Sequence, residues 1–366
     1  MARKKKNPRP PGLGQGSGYY TQEIVKRLEQ AGRYSNHRPY RLFDDWTRIV
    51  DVTLDALPEQ LKAVAQTGRL APDPPETSEV FNDVRARYEF PENPTARRKV
   101  WDAFAEAFAL LLESAEPGLW GPGSYGQFDC GYMGPDVIGH VYMTYANSDP
   151  SWNAQFFTPW NVALLMSNLI IIQGEREIFD RVKEACLHPD NILGQAVVLA
   201  SLVIPEEAEG EPNLHRDYFF NKVLPAALPF LEKISVADPA GVGSGVMLLA
   251  SAAQCPEWAV KLNLISFAGA DVDPICCRLA SINCKLYGLN GYALRLAEAV
   301  SIAAEAQQKR EPVVVSPPKS VGTAIEQVAQ ARQPEPDKPA LTSDELSFES
   351  LFRRVGHPSV PDEVPA

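Results

Sequence analysis

Between the apolar run KISVA and the apolar run VMLLASA, the chain reads DPAGVGSG, with Gly241, Gly243 and Gly245 falling within five residues. Glycines at a turn from strand to helix let the backbone approach a ligand with no Cβ in the way. In an open α/β sheet that turn, at the carboxyl end of a strand, is where ligands bind. A second strand-like run, LNLISFAGADVD, ends in Asp271 and Asp273. A carboxylate at such a tip can accept hydrogen bonds from both hydroxyls of a ribose. Asp238, at the tip of the first run, stands where it can pair with an ammonium group. Asp273 precedes Pro274 and reads as the cap of the following helix.

Three ligand classes use a turn of this kind: phosphates, dinucleotides and S-adenosyl-L-methionine. A phosphate-binding P-loop requires Gly-Lys-Ser/Thr, and here Gly245 is followed by Val246. The dinucleotide fingerprint requires a third glycine three residues after Gly243, the place Val246 occupies. The acids at both strand tips favour S-adenosyl-L-methionine.

The elements that must carry these residues follow from pattern. KISVADPA and LNLISFAGADVD read as buried strands, each followed by an apolar helix, which is βαβ logic and predicts a parallel sheet. Upstream, residues 19–135 read as an all-helical domain. TQEIVKRLEQAG predicts a helix capped at Thr21 and stopped at Gly32. Leu42, Trp46, Ile49, Val50 and Leu54 fall on one helical face, as do Val100, Phe104, Phe108 and Leu111; such stripes are core. Val137 to Tyr145 reads as a further helix. Gln155 to Phe157 reads as extended, leading into a helix with Thr158 as N-cap and Pro159 at its first position. Residues 1–18, basic and rich in Gly and Pro, read as a disordered tail. The α/β domain that carries the glycine turn is expected over 136–316, and a Pro-rich linker with a short helix over 317–366. The apolar side of that last helix is Leu346, Phe348, Leu351 and Phe352.

Composition sets outer bounds. A formal net charge of −11 argues against a surface coated for non-specific nucleic-acid binding, though not against one local basic patch. Arg97, Arg98 and Lys99 read as a solvated helix face. The six cysteines include no CxxC pair, so no zinc site is expected, and reduced thiols suit a cytoplasmic protein. No signal peptide and no apolar run of membrane-spanning length are visible.

Taken with their order, these stretches resemble the N6-adenine DNA methyltransferases, particularly the modification subunits of type I restriction-modification systems. QFFTPWNVALLM is similar to that family's Phe/Tyr-Thr-Pro cofactor motif, DPAGVGSGVMLL to its DPA-x-G-[ST]-G loop, and GADVDPICCRLASINCKLYGLNG to its ribose-binding segment. The resemblance implies a Rossmann-like class I methyltransferase sheet that binds S-adenosyl-L-methionine. By carry-over, Phe157, Thr158 and Pro159 line the methionine end, and Asp238, Gly243 and Gly245 hold the methionine moiety. Asp271 binds ribose and Val272 packs on adenine. Asn283 matches a helix position expected to be structural. The loop here is one residue longer than the family's.

Methyl transfer to adenine N6 requires the base to be extruded from the duplex and gripped. The family uses an Asn/Asp/Ser-Pro-Pro-aromatic motif for this, and the matching stretch is Ser316, Pro317 and Pro318, with Lys319 in the aromatic's place. A Pro-rich linker has the same appearance. Two functional readings therefore stand. One is an adenine-N6 DNA methyltransferase or a subunit of one, with DNA and specificity or other modification-system proteins as partners. The other is a catalytically inactive, cofactor-binding or structural subunit. Methylation of a small molecule or a protein is a third, disfavoured by the Thr-Pro and Asp-Pro motifs.

Overall fold

The computed structural model describes residues 17–71, 78–90, 92–121, 124–125, 134–148, 156–171, 174–201, 214–238 and 241–295. Ser316, Pro317, Pro318 and the C-terminal helix expected near Leu346 lie outside them. The chain divides into two compact units, Met1–Glu175 with Lys233–Ala299, and Arg176–Glu232 with Val300–Ala366. The helical N-terminal region and the sheet share the first unit.

Five helices open that unit: α1 (Ser17–Ser35), α2 (Pro39–Thr67), α3 (Glu79–Arg87), α4 (Pro94–Ala115) and α5 (Val137–Ser148). Their buried faces follow the helical period. Ile24, Leu28 and Ala31 of α1 meet Leu42, Trp46 and Val50 of α2 and Val100, Phe104 and Leu111 of α4 in one apolar cluster. Helix α1 is longer than its sequence suggests. It runs through Gly32, where a Cβ would lie 3.0 Å from Leu42 Cδ1, and ends at Asn36, whose left-handed backbone (φ 58°) returns its N–H to the Gly32 carbonyl. Ser78 and Asn93 cap α3 and α4 by accepting from Phe81 N and Ala96 N.

One carboxylate is buried inside this bundle. The Asp45 carboxylate has no solvent contact; it receives the Arg87 guanidinium, the Tyr88 hydroxyl at 2.9 Å and Arg41 Nε at 3.4 Å. Burial, then the Asp45 charge, hold the Tyr88 hydroxyl well above the usual tyrosine range.

Helix α6 (Trp160–Ile170) follows, then the second unit. That unit comprises α7 (Gly174–Leu187) from Arg176 onward, α8 (Ile192–Ser201), α9 (Leu214–Tyr218) and α10 (Leu224–Ala227). A π-helical turn, Phe219–Val223, joins the last two just before Pro225, which cannot donate to a regular helical ladder. Asn191 ties the unit internally, donating to the Ala185 and Ala226 carbonyls at 2.8 and 2.9 Å and accepting from Gly194 N at 2.8 Å.

The chain then returns to the first unit as β1 (Ile234–Asp238), α11 (Val246–Ala253), α12 (Glu257–Lys261), β2 (Ile265–Asp271), α13 (Pro274–Leu286) and β3 (Gly291–Arg295). The described strands form a three-stranded parallel sheet in the order β1-β2-β3. The expected α/β character is therefore found, with helices crossing between parallel strands. Strand β2 is largely buried, whereas β1, expected to be buried, alternates between half-buried and exposed residues at the sheet's edge. Strand β3 was not anticipated from the sequence.

Helix α2 runs alongside α13 and in the same direction, joined by a polar seam. Arg278 bonds Asp44 at 2.7 Å and Thr47 at 3.1 Å, Ser281 bonds Asp51 at 3.1 Å, and Lys285 reaches Asp51 and Asp55 at 2.6 and 2.7 Å. Beneath the seam, Ile275, Leu279 and Ile282 of α13 join the N-terminal apolar cluster. The helical region is thus anchored to the helix that connects β2 and β3.

Arg87→Ala leaves the buried Asp45 carboxylate with the Tyr88 hydroxyl and Arg41, so it removes one charged hydrogen bond and should lower the unfolding free energy by about 1.5 kcal/mol in urea titration. Truncating Arg98, whose side chain is solvated, should change it by less than about 0.5 kcal/mol.

Candidate cofactor site

The turn after β1 is built from glycines with distinct jobs. Gly241, Gly243 and Gly245 all have positive φ, at 106°, 54° and 84°. A Cβ at Gly245 would sit 3.1 Å from Cα and Cβ of Ala280, so this glycine lets α11 start close against α13. A Cβ at Gly243 would sit 3.0 Å from the Phe157 ring. A Cβ at Gly241 would meet nothing within 4 Å. Gly241 is therefore the glycine with room around it, although the sequence motif singled out Gly243 and Gly245.

Four backbone donors of the turn are used within the protein. Gly241 N and Val242 N both donate to the Ala270 carbonyl, at 2.9 and 3.0 Å, and Gly245 N donates to the Val242 carbonyl at 2.8 Å. Gly243 N donates to the Asp271 carboxylate at 3.0 Å. The other Asp271 oxygen accepts from Asp273 N at 2.9 Å. Asp271 is only 6% exposed, yet a carboxylate offers about four acceptor positions, so two remain for further donors.

Several of the residues chosen from sequence are brought together here. Phe157, half-buried, packs over Gly243 and stacks on Tyr142 with centroids 5.2 Å apart and planes at 22°. Asp271 holds Gly243, and Val272, next along the chain, is 74% exposed. Asp238 is half-buried at the end of β1, paired in register with Gly269 of β2. Asp273 caps α13 as expected, accepting from Ile275 N at 2.8 Å. Thr158 and Pro159 are half-buried, but the helix begins one residue later than expected. Pro159 itself takes the N-cap position, and its carbonyl accepts from Val162 N and Ala163 N at 3.0 Å. Trp160 sets that start: its buried indole donates to the Tyr125 carbonyl at 2.9 Å and packs where Gly134 leaves no Cβ.

One residue that sequence reasoning passed over holds the turn from behind. Asp136 is fully buried at the N-terminus of α5, and its Oδ1 accepts from Gly139 N at 3.0 Å and from Asn283 Nδ2 at 2.8 Å. Its Oδ2 accepts from the Ser244 hydroxyl. Asn283 also donates to the Ser244 carbonyl at 2.8 Å, in keeping with the structural role expected for it. A signal was present, since an Asp directly before an apolar helix is a capping pattern. Burial pushes the Asp136 carboxyl above the usual carboxylate range, opposed by His140 and by the bonds from Ser244, Asn283 and Gly139.

Among the described residues there is no group of three or more His, Cys, Asp and Glu side chains placed to hold a metal ion, and no helix long and apolar enough to cross a membrane. Cys276, Cys277 and Cys284 are buried free thiols, and burial pushes all three up. Comparison of the chain with protein-family models, with curated proteins and with solved structures finds no match.

Asp136→Asn is a clean probe, because an amide can keep its oxygen toward Gly139 and Asn283 and donate its NH₂ to the Ser244 hydroxyl. A raised native carboxyl value means that its stability contribution is fully present below the unfolded value and is lost as pH rises through the raised one. Wild type should therefore lose stability relative to the variant as pH rises from about 4 toward 8, by at most about 1.4 kcal/mol per pH unit. A flat difference in urea titrations across that range would contradict the assignment.

Proposed function

We propose that the chain is an S-adenosyl-L-methionine-binding protein of the class I methyltransferase type, directed at N6 of adenine in DNA, alone or as a subunit of a modification assembly. In this reading the three parallel strands are part of a Rossmann-like sheet. One observation carries the choice of ligand: the amides of Gly241, Val242, Gly243 and Gly245 are all donated within the protein. A phosphate-binding turn works by aiming such amides at an anion. This one keeps four of them, and beside it stands the carboxylate of Asp238. That arrangement suits a ligand whose nearest groups are an ammonium and a sulfonium.

The remaining residues fit the other parts of the same molecule. Asp271 has two acceptor positions left for a ribose diol, and the exposed Val272 side chain offers an apolar surface to a purine. Phe157, Thr158 and Pro159 border the methionine end, with Gly243 packed directly under the Phe157 ring. The sulfonium supplies an electrophilic methyl group when the cofactor is bound. Ser316 and the Pro317 carbonyl would accept hydrogen bonds from the target amino group. Lys319, standing where an aromatic would stack on the extruded base, favours the second reading, a subunit that binds the cofactor without transferring its methyl group.

Calorimetric titration with S-adenosyl-L-methionine tests the ligand. Asp271→Ala removes a charged acceptor of two hydrogen bonds, on the order of 2 kcal/mol or more, so affinity should fall about 30-fold or further. Absence of binding by the wild-type chain would refute the proposal. Transfer of label from methyl-labelled cofactor to unmethylated DNA separates the two readings. Incorporation that is lost in Ser316→Ala supports the enzyme, and binding without incorporation supports the inactive subunit.

A further inference from the structure

The parallel seam between α2 and α13 continues past its last ion pair toward the sheet's carboxyl end. Arg278 of α13 meets Asp44 of α2. One turn toward the N-terminus on each helix lie Pro274, directly after the cap residue Asp273, and Tyr40. Residues four apart share a helical face, so the register that joins Arg278 to Asp44 carries Tyr40 alongside the start of α13. That start is where Asp271 and Val272 emerge from β2. Tyr40 is 42% exposed there, and Val272 is 74% exposed.

Electrostatics places Tyr40 in the same neighbourhood. Burial, then the carboxylates of Asp44 and Asp273, push its hydroxyl up, while Arg278 and Arg41 pull it down. The hydroxyl of Tyr142, whose ring stacks on Phe157, is raised by burial and then by Cys276, Asp273, Tyr40 and Asp271. The buried Tyr142 backs the Phe157 ring by stacking, and the register of α2 on α13 sets Tyr40 toward the Asp273 side of the β2 tip.

We propose that Tyr40, carried by the helical N-terminal region, is a binding residue for the nucleoside half of the ligand, its ring packing on the adenine beside Val272. The inference rests on the cofactor reading above and adds to it a contact from outside the sheet motifs. Ring burial, and not the hydroxyl, supplies the affinity. The N-terminal helices are then a wall of the site as well as a support for α13.

The test is calorimetry on the full-length chain with S-adenosyl-L-methionine and with 5′-methylthioadenosine, which keeps the nucleoside and lacks the amino-acid end. Tyr40→Ala should weaken both ligands by a similar factor, about tenfold for loss of one aromatic–base contact. Tyr40→Phe should bind both within about twofold of wild type, since the ring is kept. Tyr40→Leu keeps bulk without an aromatic face; it should also weaken both, and it carries the test if the alanine variant does not fold. Wild-type affinity in the alanine or leucine variant overturns the inference and leaves the cofactor reading standing. Equal losses in Tyr40→Phe and Tyr40→Ala overturn it by assigning the effect to the hydroxyl. No binding by wild type removes the cofactor reading and this inference together.

Discussion

A carboxylate sealed from water at the start of α5 is joined to three separate stretches of chain: its own helix through Gly139, the glycine turn through Ser244, and α13 through Asn283. Burying such a charge is costly unless every lone pair is used, and hydrogen bonds to the charged form are what make it tolerable. Three donors offset part of that cost at Asp136, burial still holding its carboxyl above the usual range, and Asn283 repeats the link by bonding the Ser244 carbonyl. The turn after β1 is therefore held from behind by side chains and from in front by Asp271. Without that double hold, a segment with three glycines at positive φ would sample many conformations, because glycine restricts the unfolded and loosely folded chain least.

The same helix that supplies Asn283 supplies Arg278, Ser281 and Lys285 to α2. One face of α13 secures the glycine turn, another receives the N-terminal helices, and its cap Asp273 shares a turn with Asp271. A helix used on several sides cannot shift toward one partner without disturbing the others. This explains why the helical region, which looks like a separate domain by its amphipathic pattern, folds as one unit with the sheet. Its apolar stripes are not self-contained, since Ile275, Leu279 and Ile282 complete the cluster.

How much of this was legible depended on whether the signal was local. The faces of α2 and α4 could be read from spacing, because burial in a helix repeats every three or four residues. Strand β2 was equally plain, and Asp273 was recognisable as a cap from the proline after it. Strand β3, GYALR, was missed: it is short, opens with glycine and ends in arginine, and parallel pairing with β2 decides it. The end of α1 was misplaced because Gly32 looks like a stop, whereas close packing against Leu42 is its actual reason. At Asp136 the bond to Gly139 leaves a local capping signal, but the partners that tie it to the glycine turn, Ser244 and Asn283, stand more than a hundred residues away, and no window of sequence contains them.

The glycine turn also shows how contacts from distant parts of the chain fix a stretch that is locally loose. Val242 is buried directly over Gly269 of β2, where a Cβ would lie 2.3 Å from its Cγ2. Val242 is thus packed into a notch in the neighbouring strand. The bonds from Gly241 and Val242 to the Ala270 carbonyl hold it there. Gly243 can then still reach Asp271, and Gly245 can still pack on Ala280, so the part of the turn nearest the acid keeps its geometry. Of the three glycines only Gly241 has open space where a Cβ would stand, so packing constrains the turn at its second half and hydrogen bonding at its first.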